Sequence, residues 1–121
     1  MVETIWRFGT SSWSERSWLG VVYPKGTKPG DFLGLYSRRY GAVEADTTYY
    51  RVPAPGVVAG WRAKTPSGFR MAAKFPRSIV HAGSGPRPDA ERALVLEAIG
   101  GDLELFLASM KALGDQIDYF D

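Results

Sequence analysis

The chain has 121 residues, 45% of them hydrophobic and 13% aromatic, and no cysteine; it is long enough for one ordinary domain core, and a disulfide framework or a thiolate metal site is excluded. Net charge is only +2 but unevenly divided: through Arg92 there are 14 Lys or Arg against 7 Asp or Glu, and from Ala93 onward Lys111 stands against 6 acids. Such a basic body suits a phosphate or a nucleic-acid backbone, although its cations are scattered and read better as a solvated surface.

In chain order, Ile5-Trp6-Arg7-Phe8-Gly9-Thr10 alternates apolar and polar residues and predicts a first strand. Residues 11–30 hold Gly20, Pro24, Gly26, Pro29 and Gly30 and predict a long loop with at most one short helical turn. Phe32, Leu35, Tyr36 and Tyr40 then repeat at helical spacing, with Gly41 expected as a left-handed stop. Ala42-Val43-Glu44-Ala45-Asp46 predicts a second strand, and Pro53 and Pro55 precede a short helix carrying Val57, Val58 and Trp61. After the Thr65-Pro66-Ser67-Gly68 turn, Phe69 to Phe75 predicts a third strand, and His81 to Asp89 a loop. Ile99, Leu103, Phe106, Leu107, Met110 and Leu113 fall on one face of a long helix that Gly114 stops. Strands separated by helices predict an α/β domain with a parallel sheet and right-handed crossovers, its core including Trp6, Phe8, Phe32, Trp61 and Phe69.

No stretch approaches the ~18 apolar residues of a membrane span. The start, Met1-Val2-Glu3-Thr4, shows no basic region leading into an apolar run, so a soluble cytoplasmic protein is the expectation.

Several segments match a known pattern in order. Gly9-Thr10-Ser11-Ser12-Trp13, Tyr23-Pro24, and Tyr40-Gly41-Ala42-Val43-Glu44-Ala45-Asp46-Thr47-Thr48-Tyr49-Tyr50 resemble the YecE-like family, catalogued as domain of unknown function 72. Trp61, Thr65-Pro66, Phe69-Arg70, Lys74 and His81 continue the pattern, and the resemblance runs from about Phe8 to Ala112. It implies a parallel (β/α) barrel of the TIM type. Two departures stand out. The family usually carries asparagine where Asp46 stands, and its members continue past Leu113-Gly114-Asp115 into a fourth strand and the rest of the barrel, whereas here the match fades at Gln116-Ile117. Eight strands need about 250 residues to close. The expectation is therefore one partial TIM-barrel domain over residues 1–121, truncated to about the first three βα units, its open edges offering a route to a homodimer.

In barrels of this kind functional groups sit at the carboxyl ends of strands and on the loops that follow. That expectation selects Ser11 and Trp13 after the first strand, and Glu44, Asp46, Thr48 and Tyr49 at the end of the second. It adds Lys74, Arg77, Ser78 and His81 at and beyond the third. Glu44, Lys74 and His81 form the candidate acid–base group, the others the ligand-binding set. Each also has a structural reading. Glu44 and Lys74 satisfy each other as a buried ion pair, and His81 makes a loop hydrogen bond. As the sole histidine, His81 excludes a multi-histidine metal centre. Glu44 and Asp46 share a strand face within reach of one hard cation, a weak signal on which no metal is assigned, and the cofactor is left unknown. Trp13, Trp18, Tyr23, Tyr49 and Tyr50 either pin the first loop or stack on a ligand. Gly83-Ser84-Gly85 reads as an ordinary loop rather than a phosphate cradle.

Two function classes stay open at this point. One is a hydrolase or lyase acting on a small anionic or phosphorylated substrate, with Glu44 moving a proton and Lys74 stabilising charge. The other is a nucleic-acid-binding protein that holds phosphates on the basic body and stacks bases on loop aromatics. A truncated chain without activity is the third outcome.

Overall fold

A computed structural model describes residues 3–83 and 85–121. Four short strands form one sheet, β1 (Gly9–Ser11), β2 (Ala42–Ala45), β3 (Arg70–Ala73) and β4 (Ile117–Phe120), in the order β1-β2-β3-β4 with every neighbouring pair parallel. The connections carry helices α1 (Phe32–Arg39), α2 (Pro55–Lys64), the single turn α3 (Arg77–Val80) and α4 (Leu96–Met110). Pro55 opens α2 at a position where a missing backbone N–H costs nothing.

The register explains how the faces divide. Val43 and Ala45 on β2 and Met71 and Ala73 on β3 are buried toward the helices, where they meet Phe32 and Tyr36 of α1, Val58 and Trp61 of α2, and Phe106 and Met110 of α4. Alternate residues point the other way: Ala42, Glu44, Arg70, Ala72 and Asp118 border an open groove of about 560 Å³. Gly9 is fixed by contact, because a Cβ there would stand 1.8 Å from the Ala42 carbonyl oxygen.

Four expectations are corrected. The first strand spans Gly9–Ser11 rather than starting at Ile5, and Trp6 and Phe8 are not core: they are 77% and 74% exposed. The alternation of residues 5–8 is that of a strand, but Ile5, Trp6 and Phe8 all stay more than half exposed. A fourth strand exists at Ile117–Phe120, where three were expected, and it pairs Met71 with Ile117 and Ala73 with Phe120 across an irregularity. The first helix ends through Tyr40 in extended backbone (φ −124°) and needs no left-handed Gly41. Gly114, by contrast, takes a positive φ of 56° and turns the chain from α4 toward β4. Leu107, placed on the buried helix face by its spacing, is 41% exposed. Ser84, at the centre of the Gly83-Ser84-Gly85 loop, and Met1 and Val2 of the amino-terminal reading lie outside the described residues.

Candidate functional site

Backbone hydrogen bonds draw the carboxyl ends of β2 and β3 together. The Ala45 carbonyl accepts from the Lys74 N–H at 3.1 Å and from the Thr48 hydroxyl at 3.1 Å. The same hydroxyl donates to the Lys74 carbonyl at 2.7 Å. Asp46 then leads into a 3-10 turn, Thr47–Tyr49, whose Tyr49 N–H returns to the Asp46 carbonyl at 3.1 Å. Beside them β1 ends at Ser11, and the Ser12 N–H donates to the Glu44 carbonyl at 2.7 Å. Ser11, Glu44, Asp46, Tyr49, Tyr50 and Lys74 thereby enclose a cavity of about 180 Å³. Five of these six were selected from the sequence as site residues, and the sixth, Tyr50, as a loop aromatic that either packs or stacks on a ligand.

Glu44 is the electrostatically unusual member. Its carboxyl is pushed above the ordinary 4.5, first by burial, then by the neighbouring Asp121 carboxyl, and also by Asp46, while the Lys74 cation pulls it back. Asp121 was not anticipated. Its N–H donates to the Ala73 carbonyl at 2.9 Å and its carbonyl accepts from the Phe75 N–H at 2.6 Å, which sets it at the end of β3 beside Glu44. Only the existence and register of β4 place it there, and β4 was not read from the sequence. The expected Glu44–Lys74 ion pair is not formed. Among the described residues the one carboxylate–cation contact within 4.0 Å is Arg62–Asp115 at 3.3 Å. Lys74 therefore acts on Glu44 through its field rather than by contact.

The remaining candidates are spread around this centre. Thr48 is buried, and its hydroxyl proton is committed to the two carbonyls that join the strands. His81 stands behind Tyr49, ring to ring at 5.9 Å, with Nδ1 3.2 Å from the Gly85 carbonyl oxygen. It does not border the small cavity. The Arg77 guanidinium lies 5.6 Å from the centre of the Tyr50 ring, a cation–π contact that backs the cavity wall. Ser78 is half-buried on α3 and likewise outside the cavity lining.

Trp13 borders a second cavity of about 550 Å³, which shares Asp46 with the first and is also bordered by Arg51 and Trp61. Ser12, with φ 68°, turns the chain out of β1 so that Trp13 meets the Trp61 ring edge to face at 5.3 Å. The Tyr23 hydroxyl donates to the Trp13 carbonyl at 2.6 Å. Burial, reinforced by the Tyr36 and Tyr40 phenols, pushes Tyr23 up to about 12, so it stays a donor at neutral pH. Arg51 had no distinguishing signal in the sequence, since a single arginine in a basic chain carries none.

Comparison with known proteins gives a consistent answer. A family model described as "Protein of unknown function DUF72" matches residues 7–120. The UPF0759 protein YecE of Escherichia coli is 37% identical over 75 residues, which cover 60% of this chain and 24% of that protein. A crystal structure of a DUF72 family protein from Enterococcus faecalis superposes with a TM-score of 0.66 at 27% identity, covering 94% of this chain and 38% of that one. Another, from Thermotoga maritima, gives 0.63 at 30% identity, covering 93% and 41%. The chain therefore spans well under half the length of each of these relatives.

Proposed function

We propose, from the premise that this chain belongs to the DUF72 family, that the ends of β1, β2 and β3 form an acid–base centre of a hydrolase or lyase for a small anionic or phosphorylated substrate. The observation that carries the proposal is Glu44, a carboxyl whose proton is held above the ordinary range at the edge of a cavity that also contains Lys74. Enzymes tune carboxylates upward when they must donate a proton near neutrality. Glu44 protonates the leaving atom and, as carboxylate, accepts a proton from the attacking or departing group. Lys74 balances the charge that develops, and Ser11 and Tyr49 offer hydroxyls for orientation. His81 and Arg77 serve from behind, holding the Tyr49 and Tyr50 walls.

The wider architecture supports a (β/α) barrel frame of the TIM type. Four parallel strands in sequential order, without the reversal of a doubly wound sheet, keep the helices on one face and leave a groove on the other. The sequence beyond the matched part of the relatives is the natural source of the strands that close it, and a second copy meeting the edges of β1 and β4 is the alternative source. Nucleic-acid binding has weaker footing. Trp18 and Tyr23, two of the five loop aromatics it draws on for stacking, pack on each other at 5.9 Å, and Tyr23 is 1% exposed.

The test compares the wild type with Glu44→Gln on p-nitrophenyl phosphate and p-nitrophenyl acetate across the acid-to-neutral range. Loss of a proton-transfer group costs about 10²–10⁴-fold in rate. Turnover that survives Glu44→Gln unchanged removes Glu44 from the chemistry.

A further inference from the structure

We infer that the 550 Å³ cavity beside the acid–base centre is a subsite for a planar ring that carries both an acidic group, held by Arg51, and a hydrogen-bond donor, held by Asp46. The inference deepens the proposed function by naming a substrate class, and rests on it only for what happens at the donor end.

The size comes first: small-molecule sites occupy ~300–1,000 Å³ and are mostly apolar with a few placed polar groups. Here the apolar wall is Trp13, Trp61, Val52 and Val57. Its two indoles are fixed rather than adaptable. Trp61 is only 9% exposed on α2, Trp13 packs on it at 80° between planes, and the Tyr23 hydroxyl bond holds the Trp13 backbone. A rigid aromatic wall costs little entropy on binding and favours flat rings. Val57, by contrast, is 51% exposed, an apolar side chain facing water at the rim of a ready-made hollow.

The polar groups then set the ends of the ligand. Arg51 borders the cavity, and among the described residues its side chain makes no ion pair and no hydrogen bond. A free guanidinium fork matches a carboxylate or phosphate in two parallel bonds. Asp46 borders both cavities, so a ligand group bound to it lies next to the acid–base centre. Its carboxylate repels an anion but accepts from a hydroxyl or amine. An acidic group therefore belongs at Arg51 and a donor at Asp46, which points the donor end toward Glu44 and Lys74.

The probe is 4-hydroxybenzoate, titrated into the 121-residue chain while the indole N–H signals of its 4 tryptophans are followed by NMR. The signals of Trp13 and Trp61 should move and those of Trp6 and Trp18 should stay. Affinity should fall about tenfold or more in Arg51→Gln, and likewise for 4-hydroxybenzyl alcohol, which lacks the acid. Arg51 is exposed, so an unchanged amide spectrum of the variant is expected and shows that the fold is intact. Absence of movement at Trp13 and Trp61, equal movement at all tryptophans, or equal affinity in Arg51→Gln overturns the subsite. The acid–base reading is scored separately, by the carboxyl titration of Glu44 followed by carbon-13 NMR. An ordinary value for Glu44 with intact probe binding would sink that reading and leave the subsite standing.

Discussion

The Thr48 hydroxyl stands 2.7 Å from the Lys74 carbonyl oxygen, joining the turn after β2 to the residue that follows β3 and borders the small cavity. One buried threonine thus holds the turn that carries Asp46 and Tyr49 against the residue that carries the site's cation. Thr48→Val keeps the shape and removes the donor, leaving a carbonyl at the strand end without it. Stability should fall by about 1–3 kcal/mol, the cost of leaving a buried polar group unpaired. Urea unfolding of the variant measures this; a loss indistinguishable from zero would mean that water replaces the hydroxyl there.

Tyr36 plays the same part on the other side of the sheet. Its fully buried phenol accepts from the Thr10 N–H at 2.7 Å and donates to the Ala42 carbonyl at 3.1 Å, so α1 is bonded to both β1 and β2. Tyr36→Phe strips one donor and one acceptor from the backbone at once. The expected cost is about 2–3 kcal/mol, and hydrogen exchange at Thr10 should quicken more than at Met71 on β3. Equal quickening at both would show a global effect and no local tie.

Much of this was legible in the sequence, and the failures share a cause. The second and third strands, the helix over residues 96–110, the Gly114 stop and five residues of the small cavity follow from period, punctuation and family pattern. Periodicity reports how a segment alternates but not whether a partner covers it. Ile5-Trp6-Arg7-Phe8 has the pattern of a buried strand and stays exposed, while Ile117-Asp118-Tyr119-Phe120, with the same length and the same mix of three apolar or aromatic residues and one charge, pairs with β3. Asp121 was invisible for that reason. Gln116, 1% exposed and donating to the Pro66 carbonyl at 2.8 Å, shows the same limit: a polar residue reads as surface until a carbonyl 50 positions away is found beside it.

The open face of the sheet has a consequence in solution. Ile5, Trp6, Phe8 and Tyr119 are each more than half exposed, and β1 and β4 leave unpaired edges. Contiguous apolar surface next to a free edge drives association. The 121-residue chain should therefore run as a dimer or larger on a sizing column with light scattering, and Trp6→Lys should shift it toward monomer. A monodisperse wild-type monomer would mean that this exposed face and the free edges do not drive association.

The sign of the Glu44 shift fixes a pH dependence. Below the ordinary value of 4.5 the folded and unfolded chains both hold the proton, and Glu44 contributes nothing to the slope. As pH rises through the window from 4.5 to the raised folded value, the unfolded chain releases its proton first, so the folded state binds more protons and stability falls. Above the folded value the penalty is complete. Glu44→Gln removes it, so the variant should melt higher than wild type near neutrality, with the gain vanishing below pH 4.5. Lys74→Met supplies the complementary experiment. It deletes the one named influence that lowers the Glu44 value and keeps the backbone bonds of Lys74 to Ala45 and Thr48. The Glu44 titration should then move further up, and the destabilisation should set in at a higher pH. A downward move would mean that the Lys74 cation is not what holds the Glu44 value down.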